Sequence, residues 1–177
     1  FAAPTLSAQA LRLSTCAQAG LPPLATAPRD VPLPLSWSQQ RLWFLDRLDA
    51  AAGAAYHVPA GLRLRGPLDE TALVRALDRI VARHEALRTG FSVLGDGRVV
   101  QVVHPSAVVE MAVVEVAGAD VDELLSADRA RGFDLAQPPL VRYTLVCASS
   151  EKYLLPPPIP HAVADGWSVP VMLRALM

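Results

Sequence analysis

An imidazole, a carboxylate and a turn-forming glycine stand close together in Pro160-His161-Ala162-Val163-Ala164-Asp165-Gly166-Trp167-Ser168, directly after an apolar run. An imidazole titrates near neutrality, with an unperturbed pKa of about 6.5, so a histidine held on a rigid element can take a proton from a reacting group or orient it. The spacing predicts a strand ending near His161, a tight turn at Asp165-Gly166 and a helix from about Trp167, which would place the imidazole at the mouth of the turn. The same residue types equally suit a buried, hydrogen-bonded histidine followed by a turn and a helix cap. This stretch alone therefore does not decide between chemistry and architecture.

The elements that must position His161 are written in the periodicity of the rest of the chain. Residues 1–13 read as a short helix with Thr5 as N-cap and Leu6, Ala10 and Leu13 on one face. Residues 14–34 carry Pro22, Pro23, Pro28, Pro32 and Pro34, a composition suited to an extended, partly stiff linker, with a domain boundary near Leu35. Ser36 to Leu48 is an amphipathic helix with a capping serine, and its Trp43 and Phe44 are expected in the core. Tyr56 to Arg65 reads as a strand, and Asp69 as the N-cap of a helix whose apolar face is Leu73, Leu77, Ile80 and Val81. Leu87 to Val93 and Val99 to Val103 form a predicted hairpin around Gly95-Asp96-Gly97. A strand over 110–116, a helix over 120–131 and a hairpin of Val141 to Cys147 with Tyr153 to Ile159 complete an α/β pattern with a mixed sheet. Pro156, Pro157, Pro158 and Pro160 conflict with the last strand, because proline has no ladder donor; they predict an edge strand distorted toward polyproline geometry, or an anomaly in the sequence itself.

Composition narrows the function classes. The 177 residues are 52% apolar with a net charge of −1, which describes an ordinary globular domain without the clustered cations of a nucleic-acid or membrane surface. No apolar run reaches the roughly 18 residues of a membrane span. Cys16 and Cys147 are far apart, with neither a zinc pattern nor a disulfide framework, so a cytoplasmic setting and no bound metal are expected. A start at Phe1 and an end at Met177 inside an apolar helical pattern suggest an excised piece.

Four stretches, in order, resemble the condensation domains of nonribosomal peptide synthetases. Ser36-Trp37-Ser38-Gln39-Gln40-Arg41-Leu42-Trp43-Phe44-Leu45 is similar to the opening S-x-A-Q-x-R-L-W-x-L. Arg83-His84-Glu85-Ala86-Leu87-Arg88-Thr89-Gly90-Phe91 matches R-H-E-x-L-R-T-x-F, and Phe133-Asp134-Leu135 with Pro139-Leu140-Val141-Arg142 resembles F-D-L…P-L-x-R. The fourth is H-H-x-x-x-D-G, here Pro160 to Gly166, with Pro160 in place of the first histidine. Phe1-x-x-Pro4-Thr5-Leu6 is similar to the last helix of a peptidyl carrier domain.

The resemblance implies a fold like chloramphenicol acetyltransferase: two lobes in a V, the motif in a tunnel between them and a carrier docking at each end. Residues 1–13 would then be the tail helix of an upstream carrier, 14–34 the linker and 35–177 the first lobe, a mostly antiparallel mixed sheet flanked by helices, with the C-terminal lobe absent. It implies amide formation between carrier-bound thioesters, with His161 as base or orienting group. No cofactor would bind directly; 4'-phosphopantetheine thioesters would be presented by the carriers. Partners would be the upstream and downstream carriers, a neighbouring adenylation domain and the missing lobe. Asp165 is expected to pair with Arg88 or Arg83 as architecture, Gly166 to allow the turn and close substrate approach, and Trp167 to pack. Without half of the tunnel, the isolated chain is expected to be inactive. Two alternatives remain open. A condensation-like platform without catalysis would account for Pro160. An epimerisation domain shares the motif but typically reads D-G-V-S-W where this chain has Asp165-Gly166-Trp167-Ser168; a heterocyclisation domain would carry two aspartates instead of the histidine pattern.

Overall fold

The computed structural model describes residues 3–16, 23, 25–116 and 121–176; of the expected linker, residues 17–22 and 24 lie outside them. In chain order the elements are α1 (Leu6–Thr15), β1 (Leu33–Pro34), α2 (Trp37–Leu48), α3 (Ala50–Ala55), β2 (His57–Val58), β3 (Leu62–Arg65), α4 (Glu70–Arg83), a 3-10 turn (Glu85–Arg88), β4 (Thr89–Val93) and β5 (Val99–Val103). Then come β6 (Met111–Glu115), α5 (Val121–Ala130), β7 (Tyr143–Ser149), β8 (Lys152–Leu155), β9 (Ile159–Pro160) and α6 (Ser168–Leu176). Sheet order is β3-β8-β7-β6, with a second sheet β1-β5-β4 and the pair β2-β9. Among these ladders β6 with β7 is parallel and the others are antiparallel. This is the expected mixed, mostly antiparallel sheet with flanking helices.

The caps form where short polar side chains precede apolar periodicity. Thr5 accepts from the Ala8 amide at α1, although no residue of that helix is buried. At α4, Asp69 accepts from the Ala72 amide at 2.9 Å, and Leu73, Leu77, Ile80 and Val81 are buried as their spacing predicts. That face lies against Tyr143, Leu145, Leu155 and Ile159 from the strands, and Met172 and Leu176 of α6 join the same apolar cluster. A second cluster gathers Leu35, Phe91, Leu135, Leu140 and Ala162, with Leu42, Trp43 and Phe133 at its margin. The linker's end is tied down as well. β1 pairs with β5, and Arg29 Nε donates to the Glu85 carboxylate at 3.1 Å.

The proline run corrects the expected strands. Tyr56 to Arg65 is two short strands rather than one, and Tyr153 to Ile159 stops at Leu155 and resumes at Ile159. β8 is not an edge; it lies between β3 and β7, and Pro156, Pro157 and Pro158 are all buried. Three residues without an N–H cannot sustain the ladder. They nevertheless keep its register. Leu62↔Leu155 on one side of the gap and Val58↔Ile159 on the other belong to one alignment, which sets Pro156, Pro157 and Pro158 opposite Gly61, Ala60 and Pro59. On the β7 side the Arg142 amide donates to the Pro158 carbonyl at 3.4 Å, in line with the pairing of Val146 and Leu154.

Gly90, at a position the matched pattern leaves free, is held by close approach: a Cβ there would meet the Ala136 carbonyl oxygen at 3.0 Å and Pro138 Cδ at 3.2 Å. The α4 face gives the first core more buried residues than any other single element. Leu77→Ala, at a residue 2% exposed, is expected to lower stability by roughly 2–5 kcal/mol, read as a fall in the urea midpoint. A loss below about 1 kcal/mol would contradict the seating of α4 on the sheet.

Candidate active site

β9 delivers His161 as predicted. Its backbone N–H donates to the Tyr56 carbonyl at 2.9 Å, one step beyond the His57↔Pro160 pair, and the Val163 amide closes a turn onto the Pro160 carbonyl at 3.0 Å. The loop then alternates. Ala162 is buried in the second cluster, Ala164 in the first, and Val163 touches both, while His161 and Asp165 are exposed. Small side chains at 162 and 164 let the loop settle between two cores and leave the imidazole outside. His161 lines an open cleft of about 490 Å³ together with Gln39, Thr89, Gln101, Asp165 and Ser168. A solvent-facing imidazole at such a rim can meet a reacting amine without rearrangement of the core.

Among the described residues, Asp165 pairs with no arginine. Its Oδ1 accepts from the Ser168 amide at 2.9 Å and from the Ser168 hydroxyl at 2.7 Å, while Ser168 Oγ accepts from the Asp165 amide at 3.1 Å. These bonds start α6, and the Ser168 hydroxyl above all holds the Asp165 carboxyl below the usual carboxylate range. Arg88, only 14% exposed in its side chain, donates to the His104 carbonyl and lies 3.7 Å from the Glu85 carboxylate; it braces the 3-10 turn against the strand beyond. Arg83 is exposed in the last turn of α4 and forms no ion pair among the described residues. A short local hook to Ser168 satisfies the carboxylate, so no distant cation is needed.

Gly166 has no positive φ and nothing within 4 Å of where a Cβ would be, so the turn does not require glycine. Trp167 is 82% exposed rather than packed. Of the aromatic residues expected in the core of α2, Trp43 is half-buried against the second cluster, whereas Phe44 is 59% exposed.

Two residues gain importance through tertiary contacts. Arg142 lies over the Phe133 ring at 4.2 Å and donates to the carbonyls of Gly132 at 2.9 Å, Asp128 at 2.9 Å and Arg131 at 2.7 Å, clamping the end of α5. His57 meets the same ring edge-on at 5.2 Å, directly across the ladder from Pro160. Burial, and then the Arg142 charge, push the His57 imidazole below its ordinary pKa, and its buried Nδ1 has no hydrogen-bond partner among the described residues. Nothing in the local sequence around Tyr56-His57-Val58 marks this histidine; only the pairing with position 160 does. Among the described residues no three His, Cys, Asp or Glu side chains gather as a metal would need.

Comparison with known proteins agrees with this arrangement. The family model described as Condensation domain matches residues 31–177. Malpinin synthetase of Mortierella alpina is 38% identical over 184 residues, covering 99% of this chain and 2% of that protein. The bassianolide nonribosomal cyclodepsipeptide synthetase of Beauveria bassiana is 37% identical over 178 residues, covering 99% of this chain and 6% of that protein. Among solved structures, the X-domain in its complex with OxyB from teicoplanin biosynthesis superposes with a TM-score of 0.81 at 33% identity, over 89% of this chain and 34% of that one. The first condensation domain of the calcium-dependent antibiotic synthetase, in complex with a substrate analogue, gives 0.74 at 25% identity, over 84% and 38%. The chain therefore spans a small part of the curated relatives and little more than a third of the solved chains. Matched by that family model over residues 31–177, and with residues of its four motif stretches meeting in one apolar cluster, this chain belongs to the condensation-domain family of nonribosomal peptide synthetases.

Proposed function

We propose that this chain forms one wall of a site that joins two carrier-bound thioesters through an amide. The observation that carries the reading is the meeting of residues from all four motif stretches in one apolar cluster that buries Ala162, with its neighbour His161 exposed at the rim of the cleft. The acceptor's amine nitrogen attacks the donor's thioester carbonyl. A C–N bond forms, the C–S bond breaks, His161 accepts or orients the proton leaving nitrogen, and the departing pantetheine sulfur ends as a thiol. Asp165 hooks the turn behind the imidazole through Ser168, and Arg88 braces the segment beneath it. The 4'-phosphopantetheine groups belong to the substrates.

In the same reading, α1 is the last helix of an upstream carrier, 14–34 is its linker and 35–177 is the first of two lobes. A downstream carrier, an adenylation domain and a second lobe are the remaining partners, in the cytoplasm. No described helix is long and apolar enough to cross a membrane. The exposure of every residue of α1 except Ala8 fits a helix whose packing partner lies outside this chain.

A second reading has its own support. Pro160 replaces the motif's first histidine, and a solved relative with high similarity is an X-domain in complex with OxyB, a partner protein. A domain of this shape that binds a partner without catalysing would tolerate the loss.

Three measurements separate the readings. In a complete two-lobed domain carrying this sequence, His161→Ala is expected to lower condensation between loaded carriers by about 10²–10⁴-fold, with the melting temperature unchanged because the side chain is exposed. Unaltered turnover would remove His161 from its role. Pro160→His in the same domain is expected to raise turnover, whereas the platform reading predicts none from either form. The 177-residue chain alone is expected to yield no peptide from the same carriers, and product in that assay would contradict the need for a second lobe.

A further inference from the structure

Two side-chain amides run in series from the proline-rich segment to the loop after His161. Gln101 Nε2 donates to the Pro34 carbonyl at 2.9 Å, where that segment joins the sheet. Gln39 Nε2 donates to Gln101 Oε1 at 3.1 Å and to the Ala162 carbonyl at 3.1 Å. Gln39 Oε1 accepts from the Ser36 amide at 2.9 Å, while Ser36 Oγ accepts from the Gln39 amide at 3.2 Å, closing the capping box of α2. The orientation of the Gln39 carboxamide is forced by its partners. A backbone N–H can only donate and a backbone carbonyl can only accept, so oxygen must face Ser36 and nitrogen must face Ala162.

The capping box does not explain the amide. It uses only the oxygen at this position, and a glutamate would serve it as well while adding a favourable charge at the helix N-terminus. What a glutamate could not do is donate to Gln101 Oε1 and the Ala162 carbonyl. Both N–H groups of Gln39 are spent on those two acceptors, and both Gln39 and Gln101 are half-buried beside the cleft that His161 lines. Ala162 is the residue directly after His161, so a bond to its carbonyl holds the Ala162–Val163 peptide, the next one along from the peptide that joins His161 to the loop.

We infer that Gln39 is a positioning residue for His161: its carboxamide, braced by Gln101 against Pro34, fixes the Ala162 carbonyl and with it the angle at which the imidazole meets the cleft. The catalytic consequence rests on the condensation reading; the restraint on the loop does not. Carried in a complete two-lobed domain, Gln39→Glu keeps the cap acceptor and removes both donors. The melting temperature is expected to fall only slightly, because the charge gained at the helix N-terminus offsets part of the two lost hydrogen bonds. Amide exchange at Val163 and Ser168, whose N–H groups close the turns onto Pro160 and Asp165, is expected to accelerate about 10-fold, with exchange across α2 unchanged. The kcat is expected to fall by about 10- to 100-fold while KM for the loaded carriers stays constant, as for a misaligned rather than an unbound reaction. Gln39→Ala, which also loses the cap, should add a larger fall in melting temperature to the same loss of kcat.

Wild-type exchange at Val163 and Ser168 in the Gln39→Glu protein would overturn the restraint, and so would accelerated exchange spread through α2 together with a much lower melting temperature, which would mark a structural role only. Unchanged kcat with accelerated local exchange would overturn the positioning of His161. If the wild-type domain and Pro160→His both fail to condense, it is the condensation reading that falls and the catalytic part of the inference with it; the exchange rates still decide the restraint.

Discussion

The arrangement around His161 depends on the burial of Ala162 among Leu35, Phe91, Leu135 and Leu140. These residues come from stretches separated by up to 127 positions, from Leu35 at the end of the linker to Ala162 in the loop, and between them they belong to or border all four motifs. An apolar cluster has no directional preference of its own, so its value here lies in what is attached to it. Leu42 and Trp43 bring the middle of α2, Phe91 brings β4, Leu135 and Leu140 bring the loop after α5, and Ala162 brings the loop after β9. Hydrogen bonds then finish what burial begins: Phe91 donates to the Leu135 carbonyl at 2.8 Å, and Leu140 to the Leu87 carbonyl at 2.8 Å.

The loop from His161 to Asp165 is thereby pinned from both sides. Ala164 enters the core beneath α4 and α6 while Ala162 enters the other, so the chain cannot rotate without withdrawing one of them. The strand that feeds the loop survives a run of three prolines because only the ladder donors are lost, not the pleat or the register. The Tyr56 carbonyl receives the His161 amide in the same alignment that pairs Leu62 with Leu155. Side chains alternate across such a ribbon, which puts Pro160 and His57 on one face and His161 on the other.

Behind that face, Arg142 organises the return from α5. A guanidinium supplies several donors in a fixed plane, and here they reach three carbonyls at the end of a helix while the flat face lies on Phe133. The same charge, with burial, keeps the neighbouring His57 imidazole below its ordinary pKa. A shorter, single-point cation at 142 could not satisfy the helix end and the ring together. In sequence the position is the last residue of the third motif stretch, and what it does there comes from the carbonyls that end beside it.

The residues by themselves determined every described helix but α3, which no periodicity marked, together with the hairpin and the order of the motifs. Thr5, Ser36 and Asp69 each cap the helix that begins after them, and the apolar spacing of Leu73, Leu77, Ile80 and Val81 is a face before any partner is known. Family membership was legible too, because four ordered motif stretches do not depend on contacts. Local signals failed where the outcome depends on distant atoms. Asp165 could be read as half of an ion pair, but Ser168, three residues on, offered nearer donors at lower cost in ordering. Trp167 and Phe44 looked like core, yet the cores were already filled by smaller residues. The contact of Gln39 with Ala162, the pairing of His57 with Pro160 and the clamp of Arg142 were decided only by tertiary structure, since each joins groups that no periodicity relates: burial brings the backbones together first, and the polar partners are whichever donors and acceptors then lie within reach.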